Sequence, residues 1–270
     1  LEARALLELG MLLRARGEPE GAVDVLKRAT LLAQRLGHAR LEMMAIGARA
    51  SNERMLGRPL EAEILVRQAL AAADALADRE NAAHLRGNLA NLCLADGRVA
   101  EALRMCREAR AHYRAHGHVR SEAFLLLTMG IGELLQGHLD EARTQLLASG
   151  DSFAVSGVPV GEGCAWANLG RLRHHTGDPV AAIDAYTRAL AHLGGHRPGL
   201  VARVRALRAL ALLDAGSADE ATAMLADLDA EEPLVALALR GVASPSPDAF
   251  GEEVRALLGS HRLERDYQWR

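Results

Sequence analysis

Three histidines stand close together at His112, His116 and His118, in an HxxxHxH arrangement. The first two share a helix face, and the third can reach them from a following loop. Two or three imidazoles can hold zinc. No cysteine or carboxylate is obviously placed to complete such a site. A solvated surface is therefore the preferred reading, with a metal as the alternative. His174 and His175 form a second pair that reads as surface or groove. The three cysteines, Cys93, Cys106 and Cys164, are odd in number, widely spaced and free of any CxxC. That pattern reads as reduced, buried thiols in a cytosolic protein. A reactive thiol needs a basic neighbour, and the sequence shows none. No GxxxxGK[ST], GxGxxG, GxSxG or HExxH motif occurs. The chain is thus read as no enzyme, with no catalytic residue and no cofactor.

The elements that must position these side chains come from composition and period. The chain has 270 residues, half of them hydrophobic, a quarter charged and only 3% aromatic. The apolar content is mostly Ala, Leu and Val, which suits close helix packing. A net charge of −3 gives no global basic field for nucleic acid or anionic lipid. No window is long and apolar enough to span a membrane. The sequence opens on Leu1 without a signal-peptide pattern, and a fragment of a longer, cytoplasmic protein is expected.

One phrase recurs: "RGEPEGAVDVL" from Arg16, "LGRPLEAEIL" from Leu56, "LADGRVAEAL" from Leu94, "LQGHLDEARTQL" from Leu135, "HTGDPVAAIDAY" from His175 and "AGSADEATAML" from Ala215. Its glycines are Gly17, Gly57, Gly97, Gly137, Gly177 and Gly216, four steps of 40 and one of 39. Five residues later stands Ala22, Ala62, Ala102, Ala142, Ala182 and Ala221. Seven residues earlier stands Gly10, Ala50, Ala90, Gly130, Gly170 and Ala209. Twelve later stands Ala29, Ala69, Ala109, Ser149 and Ala189, with Leu228 as the exception. A fixed period in this range marks a solenoid. Apolar residues recur at three and four, as in Leu85, Leu89 and Leu92, so the units are helical. Glycine ends one helix in the left-handed turn, and Pro19, Pro59 and Pro179 start the next, Asp178 capping before Pro179. The small columns mark close approach between paired helices. One unit cannot bury its apolar face alone, and stacking supplies the core.

"NLANLCLADGRVAEALRMCREA" (Asn88–Ala109) and "NLGRLRHHTGDPVAAIDAYTRA" (Asn168–Ala189) resemble the tetratricopeptide repeat family over roughly residues 3 to 235. The 40-residue unit, against the usual 34, resembles repeats of kinesin light chains and of maltose-activator-type signal-transduction ATPases, with a longer second helix and linker. The resemblance implies an all-α, right-handed α-solenoid of six helix-turn-helix repeats over residues 1–235. C-terminal capping helices and a tail follow over 236–270. Arg49 and Glu53 in repeat two, and Arg208 in repeat six, stand where apolar residues are usual. Leu234–Val242 reads as a further helix. Ser246 with Pro247 opens another through Leu258, and a polar tail holds Tyr267 and Trp269.

In the family, positions nine and six residues before the turn glycine point into the concave groove. Here the resemblance assigns them to Asn88, Asn91, Thr128, Asn168 and Arg171, with His175 and Arg203 alongside. An amide both donates and accepts, which suits the backbone of a bound peptide. Arg173, His174, His175 and Arg203 favour acidic partners toward the C-terminal half. The implied function is a protein-interaction module, the sensor or scaffold arm of a larger bacterial regulator, binding a protein or peptide in its groove. The alternatives are a small-metabolite-sensing arm and a subunit of an enzyme complex without intrinsic catalysis. Dispersed basic residues and scarce aromatics argue against nucleic acid.

Overall fold

A computed structural model describes residues 1–194, 198–226, 228–229, 233–243 and 247–260. Among them lie fourteen helices and no strand. These are α1 (Glu2–Ala15), α2 (Pro19–Arg35), α3 (Ala39–Met55), α4 (Pro59–Ala75), α5 (Arg79–Ala95), α6 (Val99–Ala115) and α7 (Val119–Leu135). They continue with α8 (Leu139–Val155), α9 (Pro159–His175), α10 (Pro179–Leu193), α11 (Pro198–Asp214), α12 (Ala218–Leu225), α13 (Pro233–Val242) and α14 (Pro247–Leu258). The first twelve are the six helix pairs of an α-solenoid, and α13 and α14 follow as the spacing predicts. Tyr267 and Trp269 lie outside the described residues.

A longer second helix and linker were expected, and the helix bounds of the second and fourth pairs show the two helices equal in length. Both helices of a pair run 17 residues, in α3 and α4 and again in α7 and α8. Each is followed by three connecting residues, within a pair and between pairs. The reason is that both connections use the same stop. Gly17, Gly57, Gly97, Gly137, Gly177 and Gly216 have positive φ, and so do Gly37, Gly117 and Gly157 between pairs. At each kind of connection an amide reaches back five residues to a helix carbonyl, Arg58 N to Glu53 O (2.9 Å) and His38 N to Ala33 O (2.9 Å). This closes the Schellman motif.

Ala77 holds the same place with φ of 52° and is the one non-glycine residue there among the described residues. A side chain in the left-handed region costs about 1–2 kcal/mol. Glycine gives back about 0.4–1 kcal/mol through the freer unfolded chain. Ala77→Gly is therefore expected to raise unfolding free energy by about 0.5–1 kcal/mol. Urea denaturation checks it, and an unchanged or lower midpoint contradicts the strain.

At helix starts, Pro179 occupies the first turn of α10 and the Asp178 carboxylate accepts from Ala181 N at 3.0 Å. The polar residues that break the apolar columns are held by ion pairs. Glu53, buried, takes Arg49 at 3.5 Å and Arg58 at 3.0 Å, and Arg49 also reaches Glu61 at 2.6 Å. Arg208 reaches Glu220 at 3.0 Å. Arg49 and Arg208 each stand eight residues before a turn glycine, and Glu61 and Glu220 each four after it, so one pairing recurs in register. Ser149 replaces alanine in its column and donates to Ala123 O across the helix pair at 2.9 Å.

The chain divides into two compact units, residues 1–93 with 104–117, and residues 94–103 with 118 onward. In the first, α1 packs on α2, α2 on α3 and α3 on α4, and α1 also touches α3. Leu7, Ala22, Leu26, Ala29 and Ala45 form part of its core. In the second, each helix from α7 to α12 packs on the next, α7 touches α9, and α9 touches α11. Its core runs from Ala167 through Tyr186 and Leu207 to Leu258. In both units the odd-numbered helices thus share a face.

Candidate functional site

The odd-helix face of the first unit carries a cleft of about 180 Å³, lined by α1, α3 and α5 alone. Its apolar wall is Leu7, Met11, Met43, Met44 and Leu85. Its polar rim is Arg14, Ser51, Asn81 and His84. Gly47 lets the walls approach, since a Cβ there would lie 3.1 Å from Leu85 Cδ2. Methionine is unbranched and polarizable, so such a wall adapts to different apolar groups. Asn81 is fixed by Asp78, donating from its side chain at 2.8 Å and its backbone at 3.2 Å. Arg40 joins Asp78 at 3.0 Å. Burial alone would raise the Asp78 pKa, but the bonds from Asn81 and Arg40 outweigh it and hold the carboxyl below its usual range.

His84 is exposed at the mouth of the cleft, yet the surrounding wall strips water from its ring. That desolvation, with the like charge of Arg14, holds its pKa below the ordinary value. The ring is accordingly neutral at pH 7. Asn88 Nδ2 lies 3.3 Å from its Nε2, which accepts when Nδ1 carries the proton. Asn88 and His84 therefore act together one turn apart on α5, and Asn91, exposed, follows on the same helix. The cleft itself was not legible. The available signal was the density of Met43 and Met44 with Met11 in the adjoining repeat.

The other proposed groove residues lie in the second unit. Thr128 is buried and donates to Phe124 O of its own helix at 2.9 Å. Asn168 is buried and donates to Cys164 O at 2.9 Å. Arg203 is half-buried on α11. Arg171 is fully buried. Its guanidinium donates to Leu258 O and, at 3.3 Å, to Ser260 O. His175 Nδ1 donates to Arg255 O at 2.7 Å. Arg171 and His175 are thus brought together, with α14 of the same chain seated over them.

His112 and His116 do approach, with ring centroids 4.3 Å apart, but the His116 Nδ1 donates to His112 O at 2.8 Å. His118 precedes α7, half-buried. Among the described residues no group of three or more His, Cys, Asp or Glu is placed to hold a metal ion. Cys93 and Cys106 are buried and Cys164 half-buried, and none of the three is in a disulfide. Burial pushes the Cys106 thiol up to about 12, which keeps it protonated and inert. No helix among the described residues is long and apolar enough to cross a membrane.

No curated protein matches the chain in sequence. Tetratricopeptide repeat family models match residues 165–198 in one case and residues 3–28 and 83–108 in another. Among solved structures, BtubC (BKLC) from P. vanneervenii is 20% identical with a TM-score of 0.62, covering 83% of this chain and 92% of that one. A Rap protein complexed with competence and sporulation factor is 13% identical at a TM-score of 0.68, covering 98% and 88%. The signal transduction ATPase with a tetratricopeptide repeat sensor PH0952 from Pyrococcus horikoshii is 15% identical at a TM-score of 0.67, covering 99% of this chain and 42% of that one. The models thus match tetratricopeptide repeats over three segments of the chain, and the glycine-stopped helix pairs with their columns of small residues have the fold of these solved structures.

Proposed function

We propose that the chain is a protein-interaction module that takes a peptide segment of a partner along the odd-helix face of its first unit. The observation that carries this reading is the cleft between α1, α3 and α5. A pocket that encloses a small ligand spans about 300–1,000 Å³. The cleft is smaller, about 180 Å³. Its size fits one or two apolar side chains of a longer ligand and not a whole metabolite. Arg14, with Ser51, Asn81 and His84 as polar partners, favours an acidic or carboxylate group beside the apolar anchor. The Rap protein of similar fold, solved with competence and sporulation factor, supports a bound factor as the kind of ligand. The likeness to the tetratricopeptide repeat sensor of PH0952, of which the chain covers 42%, supports reading it as the sensor or scaffold arm of a larger regulator.

The test is a random peptide library selected against the full chain. Selected peptides are expected to pair an acidic residue with an apolar one. They should lose at least about tenfold in affinity on Met44→Glu and on Arg14→Glu, about 1.4 kcal/mol each. Met44 is 39% exposed, so its replacement leaves the fold intact, which circular dichroism verifies. Selected peptides that bind both variants as tightly as wild type would remove the cleft from the function.

A further inference from the structure

In the second unit the odd-helix face is not open. Helix α14 returns to α9 and α11 and ends on them. Carbonyls at a helix end lack most of their intrahelical partners, and of these Arg255 O also accepts from Gly259 N at 3.4 Å. Here they are captured from α9, Arg255 O by His175 and the Leu258 and Ser260 carbonyls by Arg171. The Arg171 guanidinium at that end also meets the negative pole of the helix. From α11, Asp214 takes Arg255 Nη1 on both carboxylate oxygens, at 2.7 and 2.6 Å. Two glycines let α14 come this close. A Cβ on Gly251 would collide with Asp214, and one on Gly259 with the His175 ring. The contact also has an apolar share, with Val254 and Leu258 buried in the core of the unit and Phe250 and Leu257 half-buried against it.

The face beneath differs from a permanent core. It holds Arg171, His174, His175 and Asp214. His174 is fully buried there, and neither ring nitrogen has a hydrogen-bond partner. Its Nε2 lies 3.5 Å from Asp214 Oδ2. A buried polar group without a partner is costly, and water would satisfy it. α14 is thus held by polar contacts to Arg171, His175 and Asp214 as well as by its apolar side chains.

We propose that α14 is a removable occupant of a receptor for helix ends, and that a partner helix can replace it. That helix would carry a small residue, a basic residue and an apolar residue at the places of Gly251, Arg255 and Leu258. The site beneath α14 thus binds the C-terminal turn of an amphipathic helix, kept closed in cis until such a partner arrives. This stands apart from the cleft of the first unit and uses none of its residues, so either proposal can fail alone.

The experiment uses the full chain. In wild type, native-state hydrogen exchange should show α14 amides opening at least about 100-fold more often than those of α9 and α11, as a separate local unit. The double variant Gly251→Leu/Gly259→Leu should lose protection in α14 while keeping it in α9 and α11. A labelled peptide of residues 247–260 should bind that variant at least tenfold more tightly than wild type. Adding Arg171→Gln should remove the binding. Exchange of α14 only together with α9 and α11 in wild type would overturn the proposal, whether or not the variant folds. So would a folded variant that leaves the peptide unbound. A wild-type dimer joined by exchanged α14 helices would assign the receptor to a second copy of this chain and overturn the partner reading.

Discussion

Gly170→Leu is expected to destabilise the second unit by about 3 kcal/mol or more, because the site has no room even for a methyl group. A Cβ on Gly170 would lie 2.6 Å from Tyr186 Cε1 and 2.7 Å from its Cδ1. Tyr186 is fully buried and cannot swing aside. The alternative is to separate α9 from α10, the two helices whose contact the column exists to permit. The column explains itself across the repeats. Gly10 faces Leu26 and Gly130 faces Leu146 at 2.6 and 2.7 Å from the Cβ each would carry. Ala50 and Ala90 stand in register with the smaller Val66 and Cys106. Glycine thus faces Leu or Tyr and alanine a smaller partner in repeats one to five, while repeat six departs with Ala209 in register with Leu225. Gly170→Ala/Tyr186→Cys, which copies the pairing of Ala90 with Cys106, should therefore lose less than its two single changes add up to. Urea unfolding followed by circular dichroism measures both. A tolerated Gly170→Leu would show that the helices are not in contact there.

The second large effect is on pH. Burial holds the His174 pKa at about 4, the Asp214 carboxylate of α11 raising it only in part, and Arg255 of α14 and its neighbour His175 on α9 adding to the fall. The unfolded chain binds a proton at the ordinary value near 6.5. Between those values the unfolded state holds more protons, so stability falls as the solution is acidified. The contribution is fully present above pH 6.5 and is lost progressively toward pH 4, about 3 kcal/mol in total. Denaturation midpoints from pH 7.5 to 4 should trace this slope, and His174→Gln should flatten it. An equal slope in the variant would assign the acid lability to other groups.

The fold was legible because its signals repeat. Each turn glycine is weak evidence alone, but six at a step of 40 or 39 fix period, helix ends and contact columns together. The equal lengths of paired helices were harder to see, because Gly37, Gly117 and Gly157 alternate with Ala77 and blur the second stop. The site was read less well for a different reason. Register places a side chain on a face, but it does not say what covers that face. Arg171 and His175 lie under α14, whose sequence has no place in the repeat and hence no register to read. Thr128 and Asn168 donate to carbonyls four residues back on their own helices, an option always open to short polar side chains.

The shared stop at both kinds of connection makes the chain a ruler with a 20-residue mark. From Gly17 to Gly37 to Gly57 each mark reverses the direction of the helix and moves it between the odd and even sides. Removing two marks would take out one helix of each kind and return every later side chain to its own side. Removing a single mark would keep each later helix and both of its ends, yet exchange lining for backing in all of them. Lengths near 40 residues are therefore the increments by which such a chain can grow or shrink without turning itself inside out.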